Sequence, residues 1–297
     1  MPVAFRTDWV HNSNDSFVYT HPGQRFEGIS PLVGDASLTR PRTRAGLAEI
    51  PEMLSRGKVT LQAIQGQLFE NRNFMAQVVV PDLLAACDKA PTAEARDGCA
   101  ALKGWDRRNN VDARGAHVFR EFWRTARNLP GVPRLPSDPA QPVATPAGLK
   151  MDDATTAAKV WEALDGAVKA IRTSGYTLDA TLGSVQRPAI TEEAIALHGG
   201  EEFEGVLNNL GRQEPAPITK AGLRIDYGTS YVQTVTFDAK GPVAQAILTY
   251  GQSTNPASPH ANDQMRQFSA YRWHTLPFYR DDLVKERVGE PLRLVRP

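Results

Sequence analysis

The sequence changes character about two thirds of the way along, and this change most constrains its fold. From Arg44 to about Leu129, apolar residues recur at the spacing typical of helices. Further on, two runs rich in β-branched and aromatic residues, 230–238 and 243–250, flank a short connection that contains Gly241. These runs predict an antiparallel hairpin. Helices in one stretch and antiparallel strands in another indicate the α+β class.

Local signals mark the ends of the predicted helices. Thr60 stands where an N-cap residue is expected, directly before a segment with helical periodicity. Another helix is predicted after Asp153, and it should stop at Gly175, since glycine is common just past helix ends. The segment 128–148 is rich in proline and glycine, which predicts a traversing loop before this helix.

In two segments, the pattern of apolar residues also predicts which faces of the helix or sheet are buried. In 116–124, the pairs Phe119/Trp123 and Val118/Phe122 are each four residues apart, so we expect one apolar helical face with charges opposite. Both strands of the predicted hairpin carry apolar residues on each face. This pattern predicts a sheet that is covered on both sides.

Composition and charge exclude several classes of protein. The 297 residues include 34 Lys and Arg against 33 Asp and Glu, so the net charge of +1 gives no electrostatic footprint for nucleic acid or an anionic membrane. No segment reaches the roughly 18 to 20 apolar residues needed to span a bilayer. The first residues show no basic region followed by an apolar one, so no signal peptide is predicted within this sequence.

The two cysteines, Cys87 and Cys99, allow two interpretations. A disulfide between them would stabilise the chain by about 3 kcal/mol on the loop-entropy model. It would also indicate an oxidising compartment. Alternatively, both are buried free thiols that pack as small apolar groups. The spacing lacks the further Cys and His ligands that zinc needs.

Few residues outside the apolar pattern suggest chemistry. The six histidines are scattered, and none has metal-ligand spacing. His260 and Asp263 could pair, although a structural His that is hydrogen-bonded to its loop is the favoured interpretation. The densest polar cluster is 11–16, which reads HNSNDS. It predicts either an Asx-rich turn or an Asn amide that donates a hydrogen bond to a developing oxyanion.

Several stretches together resemble the penicillin acylase (amidase) family of N-terminal nucleophile hydrolases. Within that family they are most like the acyl-homoserine lactone acylases and aculeacin-type acylases. The matching stretches are NSNDSF at 12–17, EGISPLVG at 27–34, RTRAGL at 42–47, LKGWDRRNNVDARGAHVFREFW at 102–123 and TYGQSTNPASPHANDQ at 249–264. The resemblance covers nearly all of the chain and corresponds to the C-terminal part of the family's β-subunit.

The resemblance implies a fold and a division into regions. The chain would be the C-terminal portion of an αββα sandwich with a helical insertion. Residues 1–45 would carry strands near the active site together with the NSNDS motif. Residues 46–175 would be mainly helical, and residues 176–297 would be β-rich and complete the sandwich.

The resemblance also implies a mechanism. Family members are exported precursors that cut themselves into α and β chains, and the new N-terminal Ser then attacks an amide with its own α-amine as the base. An Asn side chain helps to hold the oxyanion. By position this is Asn14, with Asn12 as the neighbour that could be confused with it. A supporting arginine would be Arg42 or Arg44. The resemblance implies no cofactor, and we assign no metal.

One departure from the family pattern shapes the expected function. The sequence starts Met1-Pro2, so the nucleophilic Ser is expected upstream of this segment, on a partner that comprises the α-subunit and the start of the β-subunit. We expect the chain to be inactive alone, and to belong to a periplasmic or secreted acylase. That enzyme would cleave small acylated amines, such as N-acyl-homoserine lactones or substrates of penicillin or aculeacin type.

Two other interpretations stay open. The chain could be a truncated or orphan fragment that is not catalytic and acts only as a scaffold or binding module. Alternatively, Pro2 could act as a base after removal of Met1, since a terminal secondary amine can accept a proton. The residues next to Pro2 offer no companion acid for such chemistry.

Overall fold

The computed structural model describes residues 3–15, 19–24, 26, 28, 30, 32, 39–138 and 140–296. The end of the NSNDSF motif and most of the EGISPLVG stretch therefore lie outside the described residues. The chain divides into two compact units: Met1–Val59 with Gly66–Thr229, and Thr60–Gln65 with Ser230–Pro297. The division into the regions 1–45, 46–175 and 176–297 stays a prediction.

Helices account for most of the first unit's regular structure. In chain order they are α1 (Pro41–Ser55), α2 (Leu61–Phe69), α3 (Phe74–Ala85), α4 (Ala93–Lys103), α5 (Ala116–Ala126), α6 (Ala154–Thr173), α7 (Leu182–Val185), α8 (Asp263–Ser269) and α9 (Arg280–Glu286). Helices α8 and α9 belong to the second unit, as does the first part of α2, up to Gln65. Two short 3₁₀ helices, Cys87–Lys89 and Glu202–Glu204, lie between these elements.

The strands form three small sheets. They are β1 (Gln186–Pro188), β2 (Leu210–Gly211), β3 (Leu223–Ile225), β4 (Tyr227–Gly228), β5 (Tyr231–Phe237), β6 (Pro242–Leu248) and β7 (His274–Leu276). In the first unit, β1 pairs with β3 in parallel and β2 pairs with β4 antiparallel. In the second unit, β5, β6 and β7 form one antiparallel sheet in that order. The predicted hairpin is confirmed, and the chain combines helices with sheets as predicted.

The predicted helix ends are also confirmed. The hydroxyl of Thr60 accepts a hydrogen bond from the Ala63 amide at 3.1 Å at the start of α2. The carboxylate of Asp153 accepts one from the Thr156 amide at 2.8 Å at the start of α6. Past the end of that helix, Gly175 has a φ of 84°, the left-handed conformation that glycine adopts without a steric penalty.

The main apolar core lies in the first unit, among α3, α4, α5 and α6. Fully buried members from these four helices are Val79, Leu83, Leu102, Phe119, Phe122, Val160, Leu164 and Ile171. Burial of one such side chain contributes about 1.5 to 3 kcal/mol. Cys87 and Cys99 form a disulfide, with their Cα atoms 6.0 Å apart, which ties the chain just after α3 to α4. The structure thus contains the first of the two cysteine arrangements.

The expected outer face of α5 is wrong in one respect: its charged residues are buried. Arg120 and Glu121 are 2% and 1% exposed. The carboxylate of Glu121 accepts hydrogen bonds from the Ile218 amide at 3.0 Å and from Arg124 at 3.1 Å. Charged side chains tolerate burial when partners satisfy them. One of these partners, Ile218, is 97 positions away along the sequence, whereas the other, Arg124, lies one turn further along α5.

The hairpin also differs from its prediction, because one of its faces is open. The side chains of Thr234 and Ile247 are buried, whereas Tyr231, Val235 and Phe237 are 53%, 43% and 76% exposed. The exposed positions alternate along β5, as the twofold repeat of a strand requires. Among the residues that the structure describes, nothing covers this face of β5.

Candidate functional site

The polar loop near the amino terminus holds Asn14 in a specific conformation. Asn14 has a φ of 61°, in the left-handed region that Asn adopts more readily than most residues. Its backbone amide donates a hydrogen bond to Oδ1 of Asn12 at 2.8 Å, which forms an Asx turn. The side chain of Asn14 is exposed. The turn predicted from composition is therefore present, and the side chain of Asn12, not that of Asn14, closes it.

Helix α1 supports this loop through a close contact between Gly46 and His11. A Cβ atom on Gly46 would lie 2.2 Å from Nε2 of His11, so only glycine allows this approach. The backbone amide of His11 donates to the Thr20 carbonyl at 2.8 Å, and its ring lies 3.0 Å from the Ser13 hydroxyl. Burial, assisted by the charge of Arg42, lowers the pKa of His11 and favours the neutral ring.

Arg42, in the first turn of α1, binds the Asn14 side chain directly. Its Nη2 donates to Oδ1 of Asn14 at 3.0 Å and to the Ser13 carbonyl at 3.3 Å. Its Nε donates to the carboxylate of Glu202. A guanidinium can only donate, so the amide oxygen of Asn14 must face it. This orientation leaves the Nδ2 hydrogens of Asn14 to be donated to another acceptor.

A buried ionic network fixes the 3₁₀ helix that carries Glu202. The carboxylate of Glu204 is fully buried. It accepts hydrogen bonds from Arg120 Nε at 2.8 Å, Asn73 Nδ2 at 2.9 Å and the Glu201 amide at 2.7 Å. Because these donors are themselves held by helices α5 and α3 and by the start of the 3₁₀ helix, Glu202 is held rigidly in the position where it binds Arg42.

Gly205 brings this 3₁₀ helix against the start of α1. It has a φ of 71° at the end of the helix, in the left-handed region. A Cβ atom at this position would lie 3.1 Å from the Cβ of Pro41 and 3.0 Å from the Cβ of Phe74. The glycine thus permits both the turn and the close approach that places Glu202 beside Arg42.

Arg44 occupies a different environment from Arg42. It is 1% exposed, its Nε donates to the Val143 carbonyl at 3.1 Å, and its guanidinium lies 4.9 Å from the centre of the Phe74 ring. Burial lowers its pKa to about 10. Residues two apart on a helix point about 200° apart around its axis. Of the two arginines predicted as alternatives, the structure therefore brings only Arg42 to Asn14.

The remaining residues considered from the sequence lie elsewhere. His260 and Asp263 pair at 2.9 Å on an exposed loop of the second unit. Among the described residues, no group of three or more His, Cys, Asp or Glu side chains is arranged to hold a metal ion. In the same part of the chain, no helix is both long and apolar enough to cross a membrane.

Sequence reasoning missed two residues of this site. Gly46 could have been recognised from the sequence. Glycine inside a helix costs about 1 kcal/mol relative to alanine and often marks a position where another part of the chain packs closely against the helix. No feature of the sequence pointed to Glu202, since it lies 160 positions from Arg42 in a segment with no distinctive pattern. Only the folded chain shows that this carboxylate supports the loop.

These features describe a mixed helix-and-sheet protein with an accessible, oriented Asn amide. The chain belongs to the penicillin amidase family, whose family model matches residues 1–285. The family resemblance predicted from the motifs is thereby confirmed.

The chain is also similar to named acylases. The chain is 33% identical over 283 residues to acyl-homoserine lactone acylase PvdQ of Pseudomonas syringae pv. syringae, an alignment that covers 93% of the chain and 36% of the relative. It is 34% identical over 296 residues to aculeacin-A acylase of Actinoplanes utahensis, covering 94% and 36%. The chain thus spans about a third of the length of these relatives. A solved thermostable penicillin G acylase from Alcaligenes faecalis aligns with 93% of the chain and 56% of its own, at 14% identity and a TM-score of 0.47.

Proposed function

We propose that these 297 residues form part of an acylase that hydrolyses the amide of N-acyl-homoserine lactones or related acylated amines of penicillin or aculeacin type. The single observation that carries the proposal is the hydrogen bond from Arg42 to the amide oxygen of Asn14, in a chain that belongs to the penicillin amidase family. The names of the relatives support the substrate classes.

In this proposal Asn14 stabilises the tetrahedral intermediate. Attack on an amide carbonyl puts negative charge on its oxygen, and donors that are already oriented lower the energy of that state. The Nδ2 of Asn14 suits this role, because its partner oxygen is held by Arg42 and its backbone is held by Asn12. No rotation of the amide is needed as charge develops.

Arg42 acts in this proposal as the positioning residue, and Arg44 does not. Its guanidinium bridges Asn14 on one side and Glu202 on the other. The ion pair with Glu202 also restricts Arg42, so that the donor to Asn14 is fixed before substrate binds. Arg44 supports this arrangement only through its place on the same helix.

The nucleophile, in this proposal, lies outside these 297 residues. It is the N-terminal Ser of the family's β-subunit, with its own α-amine as the base, and the α-subunit is a further partner. The exposed strip formed by Tyr231, Val235 and Phe237 supports a contact with these further segments, since an apolar strand face of this kind is normally covered. Packing there would complete the αββα sandwich.

We place this acylase in the periplasm or outside the cell. The disulfide between Cys87 and Cys99 supports this location, because such bonds persist in oxidising compartments. Protein isolated from the native source and unfolded without reductant should expose no thiol that reacts with a thiol reagent. Two reactive thiols per chain would contradict the location.

The test is to co-express the chain with the segments of an acylase relative that carry the N-terminal Ser. The assembly should hydrolyse a long-chain N-acyl-homoserine lactone or an aculeacin-type lipopeptide. Asn14→Ala should lower kcat by about 100- to 1000-fold. Asn128→Ala, which removes an exposed Asn at the end of α5, is the control and should keep full activity.

Two outcomes would overturn parts of the proposal. Full activity in Asn14→Ala would remove this residue from the oxyanion hole. If a well-folded assembly hydrolysed neither class of substrate, the alternative of a scaffold or binding module that is not catalytic would replace the acylase function.

A further inference from the structure

A cavity lies in the first unit, beside the start of α1. Its volume is about 510 Å³, within the range of about 300 to 1,000 Å³ that is usual for small-molecule sites. Much of its wall is apolar and includes Met75 of α3, Trp123 of α5, Phe203 and several prolines. A ligand that fills this cavity must therefore present an apolar body.

The charged residues of the wall are unbalanced. Three arginines contribute to the cavity wall, Arg40, Arg44 and Arg127, against one acidic residue, Glu202. Its carboxylate already forms an ion pair with Arg42. The cavity thus carries an excess of positive charge, which favours an anionic ligand.

Arg44 is the buried member of this positively charged set. The side chain is almost fully buried in the wall of the cavity, and its Nη2, which has almost no accessible surface, has no hydrogen-bond partner among the described residues. Its other nitrogens reach only the Val143 carbonyl and the sulfur of Met75, at 3.1 and 3.8 Å. In the same part of the chain no carboxylate forms an ion pair with it. A buried charge without a counter-charge is costly, so an anion bound in the cavity beside this guanidinium would be stabilised.

We propose that this cavity binds a small organic monocarboxylate, with the carboxylate on Arg44 and the apolar body against Met75, Trp123 and Phe203. The planar fork of a guanidinium matches the two oxygens of a carboxylate. Arg127, whose guanidinium lies 4.7 Å from the centre of the Phe203 ring, adds a further positive charge at the cavity wall. The apolar wall excludes a bare inorganic anion as the preferred ligand.

Calorimetric titration of the 297-residue chain with octanoate and with octanamide tests this proposal. The two probes share chain length and shape, and only octanoate is charged. Octanoate should bind at least about tenfold more tightly than octanamide, because hydrogen bonds between charged groups are stronger than those between neutral groups. Sodium phosphate at millimolar concentration should not displace octanoate.

Variants locate the site. Arg44→Met should reduce the affinity for octanoate to that for octanamide, with helix content by circular dichroism as the check on folding. If Arg44→Met does not fold, Arg127→Met serves instead and should weaken octanoate binding at least threefold, or about 0.7 kcal/mol. The matched control is Arg172→Met, on an exposed part of α6 that pairs with Asp97, which should leave both affinities unchanged.

Four results would overturn the proposal. The first is equal binding of octanoate and octanamide, and the second is no binding of octanoate by the folded chain. The third is displacement of octanoate by phosphate. The last is unchanged octanoate affinity in a folded Arg44→Met variant.

Discussion

The two units of this chain differ in the energetically unfavourable groups that they contain: buried charged side chains in the first and exposed apolar side chains in the second. The first unit buries charged side chains, and pairs some of them with each other, as with Arg120 and Glu204. The second unit exposes large apolar side chains along β5, including Tyr231 and Phe237. This difference indicates that the first unit buries its own core residues, whereas the second has an exposed apolar surface that is suited to contact another protein segment.

The amounts of buried apolar structure agree with this contrast. The main core cluster runs from Ala45 to Leu223 and lies within the first unit. In the second unit the buried apolar side chains are few, and include Ile247, Met265 and Phe268. Stability in the first unit should therefore respond strongly to single substitutions, and stability in the second should respond weakly on its open face.

The largest effect is expected for Arg120→Met. This substitution leaves the carboxylate of Glu204 buried without its cation, which typically costs about 3 to 5 kcal/mol in the free energy of unfolding. Urea denaturation measures the loss. Arg114→Met is the control, since that arginine is 61% exposed in its pair with Asp179, and it should cost about 1 kcal/mol at most. Equal losses in both variants would break the contrast between buried and exposed charges.

A smaller effect is expected for the pH dependence of stability at Glu49. Burial raises the pKa of Glu49 to about 7 from an ordinary value of 4.5. The folded chain therefore holds this proton more tightly than the unfolded chain, and the resulting stabilisation is present below pH 4.5 and lost as pH rises through 7. Glu49→Gln stays neutral, so its stability relative to the wild type should rise by up to about 3 kcal/mol across this interval.

Urea denaturation at several pH values from 4.5 to 7.5 checks this expectation. Glu162→Gln, at an exposed position of α6, is the control for the loss of one carboxylate and should follow the wild-type curve. A wild-type curve that stays parallel to that of Glu49→Gln over the whole interval would contradict the role assigned to the buried carboxylate.

The smallest effect on stability is expected in the second unit, for Phe237→Ser. This side chain is 76% exposed, so its removal should change the free energy of unfolding by no more than about 0.5 kcal/mol. Self-association, measured by sedimentation, should nevertheless decrease, because the apolar strip on β5 is interrupted. Val288→Ser removes another fully exposed apolar side chain and should leave association unchanged. The same association in wild type and Phe237→Ser would show that the strip is not a contact surface.

The sequence was most informative where structure is local. The cap at Thr60, the helix end at Gly175 and the hairpin all depend on neighbouring residues, and the structure confirms them. The strands β1 to β4 could not be predicted, because two or three residues are too few to show alternation. Arg120 and Glu121 were expected on a charged outer face, since nothing in their own segment indicates that distant donors and acceptors would satisfy them.

The candidate site shows the same difference between features set by neighbouring residues and features set by distant contacts. The motif identified Asn14 and limited the supporting arginine to Arg42 or Arg44. It could not choose between them, because the choice depends on which side of α1 faces the loop. That orientation is set by long-range contacts, those of Gly46 with His11 and of Gly205 with Pro41. Spacing along the chain carries no information on such contacts.

The most direct test of this account is a double-mutant cycle on Asn14 and Arg42 in the assembled acylase, with kcat as the measured quantity. If Arg42 acts by orienting the Asn14 amide, Arg42→Met should lower kcat in the wild type and have little further effect in Asn14→Ala. Multiplication of the two separate losses in the double variant would contradict the account, because the two residues would then act independently.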